Sequence, residues 1–362
     1  MKKQFVKILS LSALLLSTSL IFSSCDDDND DDNSSSAGKR VYILNEGSWG
    51  ANNSTLDVYY PNETENQYQS KVYQNVNGEG IGDLGQDMVL YGNRIYLSVN
   101  GSSYLAKLDL NGKMIEKYNF TETDGQPRYL AVKDGFIYVS TYGNKVMKFD
   151  TASIATAKGE VVVGNNPEGI AVKGNYLIVC NSQKDYVSDT TISVVDLSTF
   201  TLKKNIATAY GNFQNVAVVG DSVYVTYYTP SYSIEMLNVD IESEIVKPSA
   251  AATKLISFDG KLYCANVATV YDADWNATTS TNFFVRDVKS GKDSEFLDLS
   301  STPEIKTATV YLFEIDPDNG DFYVGTTDYK SNGTVYRFDK DGKFIVKFET
   351  SGINPNHVVF VK

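Results

Sequence analysis

Pro127-Arg128-Tyr129-Leu130-Ala131-Val132, a turn at Lys133-Asp134-Gly135, Phe136-Ile137-Tyr138-Val139-Ser140, a second turn at Tyr142-Gly143-Asn144, and Lys145-Val146-Met147-Lys148-Phe149-Asp150 form the stretch that decides the fold. Short β-branched and aromatic runs broken by Gly, Asn or Asp every six to eight residues are hairpin signals. Gly interrupts every window long enough to hold a helix. The stretch therefore reads as three strands of an antiparallel meander.

Working outward, the second-strand pattern recurs along the chain. It stands at Val41-Tyr42-Ile43, Ile95-Tyr96-Leu97, Ile137-Tyr138-Val139, Leu177-Ile178-Val179, Val223-Tyr224-Val225, Leu262-Tyr263-Cys264 and Phe322-Tyr323-Val324. The spacing averages about 47 residues, that of four-stranded propeller blades. Third strands ending in an acid follow most copies, as at Leu108-Asp109, Val195-Asp196 and Phe338-Asp339. First strands precede several of them, at Asp87-Met88-Val89, Leu130-Ala131-Val132, Ile170-Ala171-Val172 and Asn215-Val216-Ala217. The first copy has no first strand, while the chain ends in an unpartnered one, His357-Val358-Val359-Phe360-Val361. The expectation is an all-β, seven-bladed β-propeller, closed by the C-terminal strand pairing with the N-terminal blade. Closure removes the exposed edges of an open sheet. A β-helix or stacked sandwich would need no such terminal exchange.

Ahead of the repeats, Lys2, Lys3 and Lys7 lead into an apolar stretch over 8–22 that is too short to span a bilayer. Residues 1–24 read as a lipoprotein signal peptide ending at Phe22-Ser23-Ser24-Cys25, with Cys25 the acylated residue. Phe22 and Ser24 depart from the usual Leu and Gly or Ala of such a box. Residues 25–39 read as a tether, an Asp-rich run over 26–32 followed by Ser and Gly. The propeller is assigned to 40–362. The net charge of −13 becomes −16 without the three signal lysines, and the six tether aspartates leave the propeller near −10. That balance argues against nucleic acid as a partner.

Chemistry is sparse. His357 is the only histidine, no G-x-S-x-G motif occurs, and no Cys/His cluster has zinc spacing. Asp316-Pro317-Asp318-Asn319-Gly320-Asp321 superficially resembles a calcium loop but falls where each blade turns and lacks the closing Glu. Cys180 and Cys264 lie on second strands a blade apart and read as buried small apolar residues. These readings point to a binding protein rather than an enzyme, with no catalytic residues, metal or cofactor.

The loops are more informative. Turns between first and second strands are tight, as at Gly92-Asn93, Asp134-Gly135 and Gly220-Asp221. Loops between second and third strands, on the opposite face, are longer and aromatic. They are 45–54 with Trp49, 100–104 with Tyr104, 141–145 with Tyr142, 181–191 with Tyr186, 227–233 with Tyr228, 266–282 with Tyr271 and Trp275, and 326–334 with Tyr329. Gln86 and Arg128, with Gln214 and Asn215, stand at the starts of first strands, where connections between blades approach the channel. The candidate ligand residues are Trp49, Gln86, Tyr104, Arg128, Tyr142, Tyr186, Tyr228, Trp275 and Tyr329. Aromatics on loops held by a rigid scaffold read as a binding surface; some will instead pack beneath their own loops.

Tyr42-Ile43-Leu44-Asn45-Glu46-Gly47, Asn53-Ser54-Thr55-Leu56 and Gly82-Asp83-Leu84-Gly85-Gln86-Asp87-Met88 resemble the surface propeller lipoproteins of gut Bacteroidetes, which are similar to YncE-like, YVTN-type propellers. The resemblance spans signal, tether and all seven blades, and its best-known members are the BtuG-type proteins. It implies a lipid-anchored protein on the outer membrane, facing the exterior, that captures cobalamin and passes it to a TonB-dependent transporter of BtuB type. It carries over one residue, the lipid cysteine at Cys25. Cobalamin would be a transported ligand, not a cofactor, and with a single histidine it would bind base-on. The competing readings are a glycan-binding protein of a polysaccharide-uptake system and a protein-binding or adhesion propeller.

Overall fold

A computed structural model describes residues 38–230, 233–274 and 277–362. The signal, Cys25, nearly all of the tether, Tyr232 and Trp275 lie outside them.

Seven four-stranded antiparallel sheets succeed one another along the chain. The fold is a seven-bladed β-propeller. In blade three the strands are Pro127–Lys133, Phe136–Thr141, Lys145–Asp150 and Gly159–Val162, hydrogen-bonded in that order. Blade one is built from both ends of the chain: Pro355–Val361 pairs with Arg40–Asn45, which pairs with Thr55–Tyr59 and then Tyr68–Gln69. The expected closure is present, with Tyr42 opposite Val359 and Ile43 opposite Val358. All seven recurring motifs form second strands.

Strand periodicity explains how the blades stack. Successive side chains point to opposite faces, so each second strand feeds two interfaces. Tyr42 and Leu44 pack with Ile95 and Leu97 of blade two, whereas Val41 and Ile43 pack with Leu312 and Tyr323 of blade seven. Both faces of these strands are buried, which is why they read as continuous apolar runs. Cys180 and Cys264 occupy different inter-blade cores and are free thiols, as expected.

The structure differs from the sequence expectation in two respects. The presumed loop over 266–282 is mostly strand: Lys261–Tyr271 and Ala277–Arg286 stay paired from Leu262↔Arg286 out to Tyr271↔Ala277. Alternating Thr and Val residues sustain the ladder beyond the blade. A short helix, Val72–Asn77, also follows the outer strand of blade one, burying Val72 and Tyr73. It is too short to leave a periodic signal and is held by tertiary packing.

Candidate functional site: the loop face and the mouth of the central channel

The innermost strands all begin on one face. Pro127 pairs with the last residue of its second strand, Thr141, so the channel mouth lies on the same side as the loops joining second to third strands. Six of the seven innermost strands carry a register shift at this end; only Lys254–Phe258 pairs without one. The shifts leave Gln86, Arg128-Tyr129, Glu168-Gly169, Gln214-Asn215, Tyr311 and Asn356 outside the ladder. Bulges of this kind re-aim side chains, and here they gather polar groups around the opening. Small hydroxyls on the second strands fasten the bulges: Ser98 Oγ donates to the Arg128 carbonyl at 2.6 Å and Ser140 Oγ to the Glu168 carbonyl at 2.8 Å.

Arg128 ties three blades together. Its Nε donates to Glu168 Oε2 at 2.8 Å, its second terminal nitrogen lies 2.7 Å from the same oxygen, and its first donates to Gln86 Oε1. The guanidinium also lies 5.0 Å from the Tyr142 ring centre, and the Tyr142 hydroxyl donates to Glu168 Oε1. Burial and the Glu168 carboxylate push the Tyr142 phenol up. Gln86, Arg128 and Tyr142 thus meet at the mouth, but they are committed to one another and to Glu168.

Tyr104 departs from expectation. It opens the strand Tyr104–Leu108, is only 4% exposed within the core between blades one and two, and donates to the Ile81 carbonyl at 2.5 Å. Its period-2 phase points it inward, so it is a core residue rather than part of the surface.

The remaining aromatics define that surface. Among the described residues, the exposed aromatic side chains are Trp49 (72%), Tyr186 (98%), Tyr271 (58%) and Tyr329 (55%), and all four lie on this face. Trp49 stands on a braced loop: Gly47 and Glu46 donate to Ile353 and Asn354, and Gly50 N reaches the Asp83 carboxylate at 3.0 Å. Gly47 has φ +84, and a Cβ there would fall 2.4 Å from Asn53 Oδ1, so only glycine fits. Tyr329 packs edge-on against Tyr311 at 5.9 Å. Burial raises the Tyr329 phenol, with Tyr228, Glu46 and Tyr271 adding to the shift, so groups from blades one, five, six and seven converge there. Tyr228 is half-buried, its phenol raised by burial and by Glu168 from blade four.

Tyr186 and Tyr329 share a second property, left-handed backbone at φ +63 and φ +62. Bulky residues adopt it at a cost of about 1–3 kcal/mol. Asp185 (φ +52) and Tyr186 form the two-residue turn between Gln183–Lys184 and Val187–Ser188, a place suited to Asn-Gly. Tyr186→Gly is expected to stabilise the fold by about 0.5–1 kcal/mol, since an almost fully exposed ring forfeits little packing. A thermal melt checks this, and a lower Tm would mean that the ring packs in solution.

Glu46, Glu168, Lys254, Tyr311 and Glu314 are mouth and channel residues that sequence reading missed. For all but Glu46, which lies just past the second strand Arg40–Asn45, the signal is a polar or aromatic residue at the bulge of an innermost strand, or a charge inside one, as Glu314 is in Leu312-Phe313-Glu314-Ile315. These charges interrupt the apolar pattern, and so the innermost strands of blades six and seven escape detection.

Comparison with known proteins finds a family match over part of the chain. Residues 39–189 match the model of a family described as Domain of unknown function (DUF5074). The match covers blade one except its C-terminal strand, blades two and three, and the first two strands of blade four. No curated protein matches the chain. Among solved structures, hydrazine synthase of Kuenenia stuttgartiensis superposes with a TM-score of 0.60 at 16% identity, over 77% of this chain and 95% of that one. The WD40 β-propeller domain of Doa1 gives 0.54 at 12% identity, over 81% and 88%. The computationally designed Ika8 protein gives 0.52 at 12% identity, over 75% and 88%. At these identities the likeness is one of fold.

Proposed function

We propose that this DUF5074-containing propeller captures a small ligand on its loop face and carries out no reaction on it. One observation carries the reading: every exposed aromatic side chain among the described residues lies on that face, at the ends of four different blades. Rigidly mounted rings beside convergent polar groups suit a broad, flat ligand. The resemblance to corrinoid-capturing lipoproteins supplies the ligand class, cobalamin or a related corrinoid, whose flat body suits stacking and whose amide rim suits hydrogen bonding. On this reading the protein hands its ligand to an outer-membrane TonB-dependent transporter.

Calorimetry with cyanocobalamin and with plant or mucin oligosaccharides tests the ligand class. Saturable heat is expected from the corrinoid, and heat from a glycan alone would overturn the assignment in favour of glycan capture. A stacked aromatic contributes roughly 0.5–1.5 kcal/mol beyond the area it buries. Truncating Trp49 and Trp275 together is therefore expected to weaken binding about tenfold or more, while Asn93→Ala on the tight-turn face leaves it unchanged. Unaltered affinity in the double variant would remove both tryptophans from the site.

The same reading places the protein outside the cell, anchored through Cys25. Cys25→Ala is expected to release it from membranes, and protease added to intact cells to digest the wild-type protein. Protection from that protease would rule out surface exposure.

A further inference from the structure

We propose that the channel beneath the mouth is a second binding site, for a small zwitterion of the α-amino-acid type. The inference is independent of what binds to the loop face. The channel encloses about 220 Å³ and takes its lining from all seven innermost strands and Glu46. A water molecule occupies about 30 Å³ in the liquid, so the space accommodates a small organic molecule. Its carboxyl, amine and imidazole groups are Glu46, Asp87, Lys254, Glu314 and His357, and Val89, Leu130, Ile170, Val216, Ile256 and Phe313 supply apolar walls.

Three of these five groups are already provided for. Asp87 accepts from Met88 N at 2.8 Å and Leu130 N at 2.7 Å, and its Oδ1 lies 3.1 Å from His357 Nε2. Glu46 accepts from the Tyr311 hydroxyl. Lys254 and Glu314 remain. The Lys254 side chain makes no hydrogen bond or ion pair among the described residues, and its ammonium lies over the Tyr311 ring, 5.1 Å from the centre. Glu314 has only His357 Nδ1 at 3.6 Å, beyond hydrogen-bond reach. Burial pushes the Lys254 amine down, against the pull of Glu46 and Glu314, and pushes the Glu314 carboxyl up, against the pull of His357 and Lys254.

An ammonium and a carboxylate on adjacent blades therefore face one cavity without pairing with each other. Both side chains are half-buried, Glu314 with 23% of its side chain exposed to the channel, and charges partly withdrawn from water gain from a partner. A ligand carboxylate accepting from Lys254, with its ammonium donating to Glu314, completes both at once. An amine or a carboxylic acid alone completes only one, and the apolar walls receive an aliphatic side chain.

Calorimetry of the purified protein with valine, leucine and norleucine tests the site, with pentylamine and hexanoate as analogues of norleucine lacking one charge. Saturable binding of at least one amino acid is expected, with both single-charge analogues at least tenfold weaker than norleucine. Lys254→Met and Glu314→Gln, both close in size to the originals, are each expected to weaken amino-acid binding at least tenfold while melting cooperatively. No saturable heat from any of the three amino acids at millimolar concentration would overturn the proposal. So would equal affinity for norleucine and its analogues, or unchanged binding in folded variants. Should either variant fail to fold, the comparison of norleucine with its analogues on the wild-type protein decides alone.

Discussion

Deleting residues 354–362 is expected to abolish soluble, cooperative folding. The segment supplies the innermost strand of blade one, Pro355–Val361, paired with Arg40–Asn45 along its length. Val358, Val359 and Val361 are buried in two inter-blade cores, and Phe360 lies edge-on to Tyr323 at 5.3 Å. Burying a side chain of this size contributes about 1.5–3 kcal/mol, so these residues together rival the whole stability of a typical domain, about 5–15 kcal/mol. The deletion also removes the links from Asn354 to Gly47, from Asn356 to Gly85 and Gln86, and from His357 to Asp87. The edge of Arg40–Asn45 is left unpaired, a template for aggregation. Circular dichroism and gel filtration of the truncated chain check this. A soluble monomer melting at the wild-type temperature would show that the ring does not depend on this strand.

Arg128→Met is expected to destabilise the protein by about 3–5 kcal/mol, because it leaves a buried carboxylate without its cation. Glu168 is 5% exposed and both Arg128 contacts fall on its Oε2, with the Tyr142 hydroxyl on Oε1. At roughly 2.1 cal/mol/K of unfolding entropy per residue, a propeller of this size loses about 1.5 °C in Tm per kcal/mol, so a fall of about 4–8 °C follows. The double variant Arg128→Met/Glu168→Gln is expected to recover much of the loss, since a neutral amide tolerates that position better than a lone charge. Calorimetric melts of the single and double variants give the coupling directly. Additive effects would mean that solvent, not Arg128, satisfies Glu168. The same variants separate scaffold from contact: ligand affinity that survives in the folded double variant would make Arg128 a support of the mouth.

The repeating apolar-Tyr-Val pattern determined the architecture by itself. Second strands are buried on both faces, so every residue there is under the same demand, and the demand is written seven times. The missing first strand of copy one and the surplus strand at the end determined the closure by the same logic, because a sheet edge must be paired. The confinement of exposed aromatics to one face was legible too, since antiparallel alternation assigns each loop to a face. Tertiary structure alone decided which of those aromatics are surface and which are core. Tyr104 opens the third strand of blade two, where the pleat turns it into the core, whereas Trp49 stands in the loop between Arg40–Asn45 and Thr55–Tyr59 and stays in solvent. It also decided the partners at the mouth. Gln86, Arg128 and Glu168 are separated by about 40 residues each along the chain, and Glu46 from Tyr311 by 265. Stacking of neighbouring blades brings the first three together and ring closure joins the last pair, and no local pattern records either contact.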